Sequence, residues 1–76
     1  MRIQWSPAAR DSACQYINDQ DGMQAIGAAV SALAADPNPP DAFVRGAYRR
    51  LKVGAYRIMC VAEAGVITIE RVDRII

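Results

Sequence analysis

The chain contains no histidine, which excludes His-dependent triads and imidazole acid-base catalysis. Lysine is nearly as scarce, with Lys52 the only one. The two cysteines, Cys14 and Cys60, sit in apolar patterns with no neighbouring Cys or His, so they read as free structural thiols; neither a metal nor another cofactor is expected. No uninterrupted apolar run reaches the roughly 18 residues of a membrane-spanning helix, and no charge-flanked apolar stretch of signal length opens the sequence. A cytoplasmic protein with no membrane partner is the expectation. Repeats, low-complexity segments and linkers are also missing, so residues 1–76 read as one domain.

What is present is apolar and small. Hydrophobic residues make up 53% of the 76 positions, with mean hydropathy +0.03, but many are alanines that contribute little area each. A domain this size buries only about 60% of its unfolded surface, so the core is expected to be thin and open to completion by a partner. The net charge is only +1, yet the charges are unevenly spread. Arg45, Arg49, Arg50, Lys52, Arg57 and Arg71 lie close together in sequence with Arg74 just beyond, whereas Asp11, Asp19, Asp21, Asp36 and Asp41 all precede them. One basic working surface and one acidic or neutral back would follow, or simply a solvated charged face.

Arg2 to Trp5 reads as a strand with Ile3 and Trp5 inward. Ser6-Pro7 then marks a helix start, an N-cap followed by a residue that needs no N–H. This helix is predicted over about Pro7 to Ile17, with Ala9, Ala13, Tyr16 and Ile17 on its apolar face. A second is predicted over about Gly22 to Ala34, capped by Asp21, with the stripe Met23, Ile26, Val30 and Leu33. Asp36-Pro37-Asn38-Pro39-Pro40-Asp41 ends helicity and forms a stiff connector.

From Gly46 to Val61 the alternation has a period of two, and the stretch predicts two strands folded about Val53-Gly54-Ala55. Leu51, Val53, Ile58 and Cys60 share one face, taken as core, which leaves Arg50, Lys52 and Arg57 outside. After the turn Glu63-Ala64-Gly65, Val66 to Val72 predicts a closing strand. With Ile67 and Ile69 inward, Glu70 and Arg74 join Arg57 and Arg71 falls on the core side; the opposite parity is the alternative. The predicted architecture is α+β in the order β-α-α-β-β-β, a helical hairpin packed on a small, mainly antiparallel sheet. Arg50, Lys52, Arg57 and Arg74 on one sheet face suit successive phosphates of an RNA strand, and Tyr48 beside them suits stacking on a base.

Tyr48-Arg49-Arg50-Leu51-Lys52-Val53-Gly54-Ala55-Tyr56-Arg57 resembles the signature hairpin of the RelE/ParE superfamily of bacterial toxins. The start Ile3-Gln4-Trp5-Ser6-Pro7-Ala8-Ala9, the pair of short helices and the ending Arg71-Val72-Asp73-Arg74 occur in that superfamily's order and at about its length. The resemblance implies the RelE/ParE-like fold and, in the RelE branch, a metal-independent, ribosome-dependent endoribonuclease that drives the mRNA 2′-hydroxyl onto the adjacent phosphate. It also implies a type II toxin–antitoxin system, with a cognate antitoxin, the ribosome and mRNA as partners and DNA met only through the antitoxin. The ParE branch, which inhibits DNA gyrase by binding, and a catalytically inactive relative are the alternatives.

Carried over by position, the hairpin arginine of the family becomes Arg57, its C-terminal arginine Arg74, and the second of its paired lysines Arg50. The first of those lysines falls on Tyr48, or on Arg49 with a one-residue offset, so the resemblance implies RNA contact at these positions. The lysine pair is thus absent, and no tyrosine or histidine follows Arg74. Arginine is a poor proton acceptor, so Lys52 is the candidate base by residue type. Glu70 is the other candidate, or else a counter-ion to Arg57 or Arg74.

Overall fold

The computed structural model describes residues 1–76. Strand β1 (Arg2–Trp5) leads into Ser6, whose Oγ accepts the Ala9 N–H at 3.0 Å and so caps helix α1 (Pro7–Cys14). This helix ends earlier than predicted. Tyr16 and Ile17 donate to the carbonyls of Ala13 and Cys14, the tighter three-residue spacing that closes a last turn, and Ile17 is left 66% exposed. Helix α2 (Gln20–Ala35) starts at Asp19 rather than Asp21. Asp19 Oδ1 accepts the Gly22 N–H at 3.0 Å, and Oδ2 accepts from the Tyr56 hydroxyl at 2.6 Å.

The protein is α+β, with two helices and a five-stranded mixed sheet. Its strands β2 (Phe43–Arg45), β3 (Tyr48–Val53), β4 (Tyr56–Glu63) and β5 (Val66–Arg74) are antiparallel, and β1 joins β5 in parallel, giving the order β1-β5-β4-β3-β2. Strand β2 extends the predicted element order by one. It was hidden because only Phe43-Val44-Arg45 pairs, straight after the proline-rich connector. The β4–β5 turn has Ala64 and Gly65 at φ 51° and 76°, the two positive values that a two-residue hairpin with the native strand twist requires.

A bulge between Met59 and Cys60 changes the register of β5. Met59 faces Arg71, but Cys60 faces Ile69, so Glu70 is the extra residue. The inward set of β5 therefore runs Ile67, Ile69, Val72, each fully buried, and Arg71 and Asp73 move to the opposite face. This corrects the predicted parity beyond Glu70.

Pairing of β1 with β5 stops at Trp5 and Ile69. Beyond that point hydroxyls of the α1 N-cap, of α1 and of the turn after it take over the free edge of β5. Ser6 Oγ donates to the Glu70 carbonyl at 3.3 Å, Ser12 Oγ accepts the Val72 N–H at 3.0 Å, and the Tyr16 hydroxyl accepts the Arg74 N–H at 3.4 Å. Ser12 is buried and also donates to the Ala9 carbonyl at 2.9 Å.

Both helices contribute to one apolar cluster on one side of the sheet. Ala9, Ile26, Val30 and Leu33 meet Tyr56, Ile58, Cys60, Ile67, Ile69 and Val72. Only 12 of 76 residues are buried, the thin core expected of this size. No helix is long and apolar enough to cross a membrane.

Two stability predictions follow from these contacts. Ser12→Ala leaves the buried Val72 N–H without a partner and should lower unfolding free energy by about 1–3 kcal/mol, read from urea denaturation at unchanged slope. The second concerns pH. The Tyr56 hydroxyl, and then the Gly22 N–H, hold the Asp19 carboxyl below its ordinary value of 3.8, so stability from this contact is full above that value and is lost as pH falls through the lowered one. Tyr56 is raised above 10.0 by the bond to Asp19 and by burial, so the same contact weakens again in strong alkali. Thermal melts of Asp19→Asn should show a shallower acid limb than the parent.

Candidate functional site

The sheet face opposite the helices is uncovered, and the strand registers arrange its side chains in rows. At the β3–β4 turn, Lys52, Arg57 and Asp73 stand side by side on β3, β4 and β5. The next row is Phe43, Arg50, Met59 and Arg71, and the one after is Arg45, Tyr48, Val61, Thr68 and Gln4. The site is an open sheet surface rich in cations.

Electrostatics concentrate in the first two rows. Arg57 lies directly opposite Lys52, a like-charge pair that costs free energy unless an anion sits nearby. Asp73 is that anion. Its Oδ1 accepts from Arg71 Nε at 2.7 Å, and its Oδ2 lies 3.6 Å from Arg57 Nη2. The carboxylate raises the pKa of the Arg71 guanidinium still further above its ordinary range. Arg57 is only loosely held. Its Nε is shut off from solvent and has no hydrogen-bond partner, although the side chain as a whole is 39% exposed. Arg50 and Lys52 are exposed and make no ion pair.

Aromatic surface adjoins the cations. The Phe43 and Tyr48 rings meet edge to face at 6.2 Å, and the Arg50 guanidinium lies 4.7 Å from the Phe43 ring centre. Phe43 is 45% exposed. Together these groups offer an apolar shelf bordered by positive charge, a surface on which a nucleobase can stack.

Of the predicted site residues, Tyr48, Arg50, Lys52 and Arg57 do share this face. Arg49 does not. It points to the helix side and is buried, where Nε donates to the Pro37 carbonyl at 2.9 Å, Nη1 to the Gly46 carbonyl at 2.6 Å and Nη2 to Asn38 Oδ1 at 2.7 Å. It clamps the proline-rich connector to the sheet and is not free to meet RNA. Arg74 is also on the helix side, paired in register with Tyr56, lying over that ring at 5.9 Å and donating to the Ile76 carbonyl at 2.9 Å. Glu70 is exposed at the bulge and pairs with neither Arg57 nor Arg74; the counter-ion is Asp73.

Arg71, Asp73, Phe43 and Arg45 were missed as members of the face. For the first two, the sequence carries a signal in the break of alternation at Glu70-Arg71, two charges in succession between inward Ile69 and Val72. No protein-family model matches the chain, and no curated protein sequence matches it significantly.

Arg49→Ala should therefore act on stability, because it strips the connector carbonyls of a charged donor; hydrogen bonds of that kind are worth about 1.5–3 kcal/mol. Any affinity of the open face for a short RNA, measured by fluorescence anisotropy below the unfolding transition, should stay within twofold of the parent, roughly 0.4 kcal/mol.

Proposed function

We propose that this protein is a toxin of the RelE/ParE kind from a type II toxin–antitoxin system, acting in the cytoplasm as a ribosome-dependent mRNA endoribonuclease. The observation that carries the reading is the convergence of Arg50, Lys52, Arg57 and Arg71 from three strands on one uncovered face. Guanidinium groups bind phosphate oxygens in pairs and stabilise the charge that accumulates on phosphorus as a nucleophile adds. Arg57 and Arg71 would face the scissile phosphate while Arg50 grips a neighbouring one. The ribose 2′-oxygen then forms the new bond to phosphorus as the bond to the 5′-oxygen breaks, and the 5′-oxygen takes up a proton from solvent, producing a cyclic phosphate and a free hydroxyl. Lys52, paired in register with Arg57, would take the 2′-hydroxyl proton in its neutral form. Tyr48 and Phe43 would stack on bases.

Arg74, on the helix side of the sheet, lies outside this set, and Arg71 takes the position on the open face. An antitoxin segment bearing carboxylates and an apolar stripe would neutralise the face and add to the thin core.

Binding without cleavage, as in gyrase inhibition, is the second reading. It is favoured by the absence of a lysine pair and by the carboxylate of Asp73 lying among the cations.

Primer extension on messages translated in vitro tests the first reading. Cleavage should be metal-independent and should fall about 100- to 1,000-fold in Arg57→Ala, the usual cost of one transition-state donor, with Arg71→Ala close behind and Arg74→Ala near the parent. Lys52→Met should damage single-turnover cleavage more than Glu70→Gln; the opposite ranking would make the carboxylate the base. Intact messages alongside inhibited gyrase supercoiling would favour the second reading.

A further inference from the structure

We infer that Asp73 is an internal competitor for the anion that Arg57 and Arg71 bind, a built-in carboxylate that limits how tightly the free protein holds a phosphate backbone. The inference rests on the proposed RNA-binding role of this face and goes beyond it by assigning a regulating residue.

Three observations support it. The two carboxylate oxygens of Asp73 are divided between two guanidiniums, Oδ1 to Arg71 at 2.7 Å and Oδ2 towards Arg57 at 3.6 Å. Two non-bridging oxygens of a phosphate would be shared between the same arginines in the same manner. Secondly, the Arg57 guanidinium is unsatisfied, because 3.6 Å is beyond hydrogen-bond length and Nε on the same edge, though shut off from solvent, has no partner. Arg57 is thus positioned by Asp73 without being satisfied by it. Thirdly, Asp73 is the only acid in ion-pair range of any cation on this face; Arg50 and Lys52 carry no counter-ion. The charge that steers an RNA strand to the surface is therefore left intact at Arg50 and Lys52 and reduced only between Arg57 and Arg71. An incoming phosphate has to displace Asp73 from Arg57, while the shorter bond to Arg71 keeps the carboxylate nearby.

Asp73 acts through the arginines and is a positioning residue rather than a catalytic one. Its removal has two separable effects. Asp73→Asn abolishes the negative charge but leaves an amide oxygen able to accept from Arg71 Nε; Asp73→Ala abolishes both.

The test is anisotropy titration of the full chain with a short 2′-O-methyl oligouridylate, which cannot be cleaved because its 2′-oxygen is blocked. Asp73→Asn should bind about fivefold more tightly than the parent at low salt, the factor expected from removing one unit charge about 4 Å away in water, and the gap should narrow as salt rises. Asp73→Ala should also bind more tightly than the parent, but less so than Asp73→Asn. Arg57→Ala should bind more weakly than either. If a folded Asp73→Asn or Asp73→Ala, checked by circular dichroism, binds no tighter than the parent, Asp73 is only a structural link and the inference fails. Absence of binding by every variant overturns it equally. Tighter binding by the Asp73 variants with no message cleaved by any chain sinks the nuclease reading and leaves this inference standing. Cleavage by the parent with no gain in the Asp73 variants does the reverse.

Discussion

The second half of β5 is the constraint on which this molecule depends. After Ile69 the strand loses β1 as a neighbour, and its backbone groups would be exposed on one edge or orphaned in the core. Ser6, Ser12 and Tyr16 meet that requirement from the cap of α1, the helix itself and its following turn. The arrangement ties the position of α1 to the position of the bulge. It also decides which charges reach the open face, since Arg71 and Asp73 belong to the segment these hydroxyls hold. A change in helix seating would be transmitted to the arginine pair through a few hydrogen bonds, without any side chain of the face being altered.

The helices and the cations occupy opposite sides of one sheet, and the division is enforced by desolvation. A guanidinium cannot be buried unless its donors are met, and Arg49 shows what meeting them takes, since Pro37, Asn38 and Gly46 all turn oxygens towards it. No such set surrounds Arg50 or Lys52, which stay in water. The same logic explains the raised pKa of the Cys60 thiol, in which burial outweighs the opposing effect of Arg49. Cys60 is therefore a packing residue facing Ile69 and not a reactive group.

Much of this organisation was legible in the residues. Ser6-Pro7 located the first helix, the stripe Met23, Ile26, Val30 and Leu33 located the second, and strict alternation from Tyr48 to Val61 gave the hairpin and its basic side. Two features resisted. Period-two reading carried through Glu70 put Arg74 on the wrong face, because a bulge inserts one residue and reverses everything after it. Arg49 obeyed the alternation, but the resemblance with its one-residue offset placed it on RNA, and a buried arginine is recognisable only once its carbonyl partners have been brought together. The N-cap shifted from Asp21 to Asp19 for a similar reason, since Tyr56 supplies Asp19 with a tertiary bond that no local rule contains.

Strand β2 has a consequence for self-association. Sheets with free edges invite pairing with other chains, and the hazard grows with the length and flatness of the edge. Here the two edges are β1 and β2, of 4 and 3 residues, and β2 ends in Arg45 just before Gly46 turns the chain away at φ 59°. Without β2 the exposed edge would be the six-residue β3. Three residues thus cover Tyr48 to Arg50 and leave only Leu51 to Val53 of the longer strand as open edge, with the charged Lys52 among them to discourage pairing.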